Sequence, residues 1–119
     1  MTDVSITSST TADGTVYLTV AGEIDMESSP RLATALSQAI HADDTKCVAV
    51  DLDRVSFMDS NGIRDLVLAQ TQATEKAMTF YITNVQDGPR RVLELTGLLA
   101  VLTKQAPPTA DPTAGWQTA

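Results

Sequence analysis

Apolar positions along this chain switch repeatedly between a period of two and a period near 3.6. Val16, Leu18 and Val20 alternate with polar neighbours, as in a half-buried strand. Val4 and Ile6 do so more briefly and predict a first edge strand, joined to the next by the turn signal Asp13-Gly14. The segment Val20-Ala21-Gly22-Glu23-Ile24-Asp25 then ends the second strand in a loop. Ser28, Ser29 and Pro30 announce a helix, with a serine at its cap and a proline in its first turn. Leu32, Ala35, Leu36, Ala39 and Ile40 recur on one face of that helix, which stops around His41-Ala42-Asp43-Asp44. Cys47 to Leu52 is short and almost wholly apolar, the pattern of a central strand covered on both faces.

A partly apolar loop and the turn Asp59-Ser60-Asn61-Gly62 follow, and Ile63, Leu66, Val67 and Ala73 line a second helix. Thr79-Phe80-Tyr81-Ile82 predicts a further strand. Pro89 opens a third helix carrying Val92, Leu93 and Leu95, and Gly97 stops it. Leu98 to Leu102 is expected to be a short last strand. Strands alternating with helices after an opening hairpin make this an α/β domain over residues 1–104. Residues 105–119, with three prolines and a lone Trp116, are expected to form a disordered Pro-rich tail. Strand-to-helix loops of such folds gather at one sheet edge, where ligands and partners bind, and the Asp25 and Ser60 loops are of that kind.

Composition removes several classes of function. The chain has 119 residues, 43% apolar and 19% charged, enough for one core without metal or disulfide support. Only 4% is aromatic, so the core falls to Val, Leu, Ile and Ala. The net charge is −7 and the eight basic residues are scattered, which excludes the clustered basic face needed for nucleic acid or an anionic membrane. Cys47 is the lone cysteine, in an apolar run, and is expected to be a buried, inert thiol. No charged start leads into an apolar stretch near Met1, and no run reaches the ~18–20 apolar residues of a membrane helix, so a cytoplasmic location is expected. No large exposed apolar stripe is evident, and a monomer is the expectation.

The chemistry centres on Ser60, at the positive end of a helix dipole. Its hydroxyl is a helix cap, a nucleophile or an acceptor for a phosphate. A nucleophile needs a base, and His41 is the only histidine, at the end of a helix that is expected to begin away from the serine. Met58 occupies the first glycine position of Gly-x-Ser-x-Gly, and neither a phosphate-binding loop nor a Cys/His zinc cluster occurs. Serine alone favours the cap. Asp59 can take that role instead, leaving Ser60 free, and Gly62 leaves the first turn uncrowded for an approaching protein. Phe57 and Met58 stand on what reads as an exposed loop, and Phe57 is expected to tuck beneath it. Asp51, Asp53 and Asp59, with Glu23, Asp25 and Lys104, invite comparison with an aspartate-phosphorylated receiver. Three substantial helices instead of five favour the plainer reading of those carboxylates as solvated loop and cap residues.

Gly22-Glu23-Ile24-Asp25, Val50-Asp51-Leu52, Phe57-Met58-Asp59-Ser60-Asn61-Gly62 and Arg91-Val92-Leu93-Glu94-Leu95-Thr96-Gly97-Leu98 together resemble STAS domains of the anti-sigma factor antagonist type. The resemblance runs over roughly residues 4 to 102. It implies a small mixed β-sheet with helices packed mainly on one face. It also implies partner switching: the unphosphorylated protein binds an anti-sigma factor with serine kinase activity and so frees a sigma factor. The kinase, using its own ATP and magnesium, phosphorylates the antagonist and leaves it, and a PP2C-type phosphatase restores the binding form. No cofactor is implied for this chain. By position, Ser60 is the phosphoacceptor, Asp59 and Gly62 shape its loop, and Asp25 lies at the contact surface, with Met58, Asn61 and Arg64 as further partner contacts. Asn61 and Arg64-Asp65 depart from residues common in the family and are expected to tune partner choice. The terminal helix of several members is expected to be replaced by the tail. A different class of function, a scaffold or small-ligand sensor whose serine is only a cap, remains the alternative.

Overall fold

A computed structural model of the chain describes residues 4–103. The elements run β1 (Val4–Thr10), β2 (Thr15–Ile24), α1 (Ser29–His41), β3 (Cys47–Met58), α2 (Ser60–Glu75), β4 (Thr79–Thr83), α3 (Asp87–Leu95) and α4 (Leu99–Thr103). The sheet has the order β1-β2-β3-β4, antiparallel at β1–β2 and parallel thereafter. It is the mixed sheet expected, with α1 and α2 as crossovers that pack on each other. Leu32, Leu36 and Ile40 of α1 and Leu66, Ala69 and Ala73 of α2 meet Leu18, Val20, Val48, Val50 and Ile82 in one core.

Several expectations give way. The second strand does not end at Val20 but continues to Ile24. The segment after Leu52 is not a loop, because β3 runs on to Met58. Two register shifts against β2 explain both: Thr19 pairs with Asp51 and Ala21 with Arg54, then Gly22 pairs with Val55 and Glu23 with Phe57. Each shift inserts one extra residue into β3. Each therefore rotates the inward phase, and burial passes from Val48, Val50 and Leu52 to Val55 and Met58. Nor is the central strand covered on both faces. The helices lie on one; on the other, Ala49 is flanked in register by Tyr17 and Tyr81, and Tyr17 is 45% exposed. Cys47, on that open face, is half-buried rather than buried, and burial pushes its thiol pKa up, which keeps it protonated.

The last segment is a helix, not a strand. Gly97 adopts φ 77°, and the Leu98 N–H reaches the Leu93 carbonyl at 2.9 Å while the Gly97 N–H reaches that of Glu94 at 3.1 Å. This reversal ends α3 in a left-handed turn that glycine takes without strain. Leu98 and Leu102 then fall four apart on one face, and Leu102 is fully buried against the core while Val101 is exposed. A terminal helix is therefore present in short form, contrary to its expected replacement. Lys104 and the expected tail, 105–119, lie outside the described residues, as does the boundary drawn at 104.

Candidate functional site

Ile24 and Met58 stand opposite each other at the ends of two parallel strands. The residue after each strand is an aspartate: Asp59 is the N-cap of α2, and Asp25 opens the turn that precedes α1. The Asp25 carboxylate accepts hydrogen bonds from the N–H groups of Glu27 (2.9 Å) and Ser28 (3.1 Å). The Asp59 carboxylate accepts from the Asn61 N–H at 2.8 Å, and the Asp59 N–H continues the ladder to the Ile24 carbonyl at 3.0 Å. Two helix N-termini, one capping carboxylate and one that braces the preceding turn thus share one corner of the sheet, the edge where loops of parallel strands gather.

Ser28 takes the N-cap position of α1 but does not cap with its side chain. Its hydroxyl donates to the Glu23 carbonyl at 2.7 Å and accepts from the Asp25 N–H at 3.0 Å, tying the loop to the end of β2. Asp25 braces the turn that leads into α1, and no side chain caps that helix as serine was expected to do.

At α2 the same division leaves Ser60 available. Asp59 is the extended residue whose side chain satisfies the helix. Ser60, first in the helix, is exposed, and among the described residues its hydroxyl has no hydrogen-bond partner. Asn61 is half-buried, its amide turned back to the Asp59 carboxylate at 3.4 Å. Arg64 is exposed one turn further on.

Met58 and Gly62 are not surface residues, which overturns their expected part in partner contact. Met58 is 2% exposed and Gly62 is buried directly above it. A Cβ on Gly62 would stand 2.5 Å from Met58 Cγ and 2.7 Å from Ile24 Cγ2. Gly62 is there so that α2 can sit down on the strand ends, not to keep an outer face uncrowded. Strand alternation gives the pair opposite fates: Phe57, expected to tuck in, is 50% exposed.

Asp65, expected with Arg64 to tune partner choice, belongs instead to the corner's interior. Asp65 is only 5% exposed and accepts a hydrogen bond from the Ser29 hydroxyl, joining the first turn of α1 to α2. Burial raises its carboxyl pKa, and the Ser29 hydrogen bond and the Arg64 charge oppose that rise without cancelling it. Its place in α2 was the available signal: it directly precedes the core residue Leu66 and lies on the inward side.

The other chemistries do not assemble. The helix carrying His41 begins beside Ser60, not away from it, but His41 is at its far end, about 20 Å along a 13-residue helix. Asp51 and Asp59 are separated by roughly 25 Å of extended strand, and Asp51 accepts from Asn84 at 3.2 Å. Among the described residues, no three His, Cys, Asp or Glu side chains are grouped to hold a metal ion, and no helix is long and apolar enough to cross a membrane.

The STAS domain family model matches residues 7–111. The chain belongs to the STAS domain family. An anti-sigma-B factor antagonist of Staphylococcus aureus is 34% identical over 89 residues, covering 75% of this chain and 82% of that protein. An anti-sigma factor antagonist structure from Mycobacterium paratuberculosis superposes with a TM-score of 0.73 at 26% identity, over 84% of this STAS chain and 83% of the other. The anti-sigma factor antagonist SpoIIAA in its unphosphorylated form shares the fold, with a TM-score of 0.72 at 22% identity over 86% and 88% of the two chains.

Proposed function

We propose that this STAS domain is an anti-sigma factor antagonist switched by phosphorylation of Ser60. Its unphosphorylated form binds an anti-sigma factor with serine kinase activity and frees a sigma factor. The kinase transfers the γ-phosphoryl group of its ATP to the Ser60 oxygen, ADP leaves, and the hydroxyl proton passes to the kinase's base. A PP2C-type phosphatase hydrolyses the ester and restores the binding form. The chain acts as a monomer in the cytoplasm. The observation that carries this reading is the exposed, unengaged Ser60 hydroxyl beside an aspartate that already caps the helix.

The switch is local. A phosphate adds about −1.5 to −2 charge at neutral pH. The free N–H groups of the helix N-terminus tolerate it, so the domain stays folded. In a docked interface the same charge is desolvated next to Asp59, and repulsion with burial opposes binding by several kcal/mol. Asp25, Asn61, Arg64 and Phe57 make the contact surface.

The test is a pull-down from native cytosol with wild type, Ser60→Ala and Ser60→Asp, followed by Mg-ATP and intact-mass analysis. An ATP-binding kinase that adds one phosphate to wild type, none to Ser60→Ala, and does not bind Ser60→Asp is the expected result. Equal capture by all three with no phosphate gained would return the site to the scaffold or sensor class. One feature favours a sensor: a groove of about 590 Å³ between the β1–β2 hairpin and α1, lined by Ile6, Leu18, Thr34, Ala35 and Gln38. Loss of capture on filling that groove by Ala35→Phe, with Ser60 variants unaffected, would support it.

A further inference from the structure

We propose that Arg64 is the internal counter-ion of phospho-Ser60, so that phosphorylation also withdraws a cation from the docking face. This rests on the reading of Ser60 as the phosphoacceptor. Ser60, Arg64 and Leu68 are all exposed and recur at intervals of four, one line along the outer face of α2. Long side chains on a helix tend to point back toward its N-terminus, which puts the turn that starts with Ser60 within reach of an arginine at position 64. An anion at i with a cation at i+4 is the favourable order on a helix. A guanidinium meets a phosphate through two parallel N–H···O bonds.

Arg64 is also available for that role. It is the one basic residue within α2, and among the described residues it forms no ion pair. The neighbouring carboxylates are engaged elsewhere: Asp59 accepts from the Asn61 N–H, and Asp65 is turned inward to Ser29. Without Arg64, a phosphate on Ser60 would face Asp59 without the i+4 cation of its own helix, in a chain of net charge −7. In the unphosphorylated protein Arg64 is exposed and makes no ion pair among the described residues, which leaves it available to an acidic group of the partner. Phosphorylation therefore changes the interface twice, by adding an anion and by engaging a cation.

Phosphoserine encoded at position 60 during translation tests this without kinase or partner. Phosphorus NMR titrations would compare the second phosphate pKa in the phosphoprotein, its Arg64→Gln variant and its Arg64→Lys variant. The wild-type value is expected about 0.3 unit or more below that of Arg64→Gln at low salt, the equivalent of one helical ion pair. The gap should close as salt is raised, with Arg64→Lys in between. Equal values in wild type and Arg64→Gln, both folded by circular dichroism, would overturn the proposal. Because the titration needs no partner, failure of the switch itself shows only in the pull-down, and the two failures are distinguishable.

Discussion

The Ser29 hydroxyl donates a hydrogen bond to the Asp65 carboxylate, and both side chains are buried where the start of α1 packs on α2. That bond joins the first turn of α1, just after the Asp25 loop, to the Ser60 helix.

The same carboxylate makes stability depend on pH in an unusual direction. Burial raises the folded-state pKa of Asp65 above its unfolded value near ~3.9, so the folded protein binds this proton more tightly. The contribution is complete below the unfolded value and is lost as pH rises through the folded one. Asp65→Asn removes the charge and keeps an oxygen for Ser29. Thermal melts should show Asp65→Asn above wild type at pH 7, with the margin shrinking toward pH 4. A margin that grows on acidification would contradict the assignment.

The capping arrangement separates two adjacent residues. Asp59 satisfies the helix N-terminus and Ser60 does not. Asp59→Ala should therefore cost about 1 kcal/mol, typical of a lost N-cap, and lower the melting temperature by roughly 5 °C. Ser60→Ala and Ser60→Asp should leave it within a few degrees of wild type. A melting loss at Ser60→Ala matching that at Asp59→Ala would make the serine the cap and remove the basis for a free phosphoacceptor.

The β1–β2 hairpin, α1, the first half of β3, β4 and α3 were legible because their apolar spacing is regular and their ends carry turn residues. Ser60 was legible as a residue but not as a role, since serine and Asp59 both suit an N-cap and only geometry divides the work between them. The end of β3 was not legible. Each bulge shifts the inward phase by one residue, so Leu52, Val55 and Met58 share a face at a spacing of three, which breaks the period of two and imitates a helical face. Asp65 was assigned to the partner surface because charged residues are seldom buried unless paired, and its partner Ser29 is 36 positions away. Leu98–Leu102 suited either a strand or a helix, and the Gly97 reversal selected the helix.

Gly62 tests how closely α2 sits on the strand ends. In Gly62→Ala the new methyl meets the flexible Met58 side chain and the stiff, β-branched Ile24. Overpacking should cost about 1–3 kcal/mol, partly offset by the ~1 kcal/mol helix preference of alanine. Urea unfolding should show a net loss, and Met58→Ala in the same chain should recover part of it. Additive losses in the double variant would mean that Met58 is not the obstacle.

Phe57 and Met58 provide the sharpest contrast, because neighbouring apolar residues have opposite surroundings. Met58→Ala empties a site beneath Gly62 and should cost about 2–5 kcal/mol in urea unfolding. Phe57→Ala removes a half-exposed ring across the sheet from Glu23 and should change stability by no more than about 0.5 kcal/mol. Its effect should fall on docking, where an exposed aromatic supplies apolar contact beside the charged Ser60 corner. Capture of the partner kinase should drop at least tenfold for Phe57→Ala, with the melting temperature unchanged. Full capture by Phe57→Ala would confine the interface to the α2 face, since Met58 lies beneath Gly62 and cannot take the place of the missing ring.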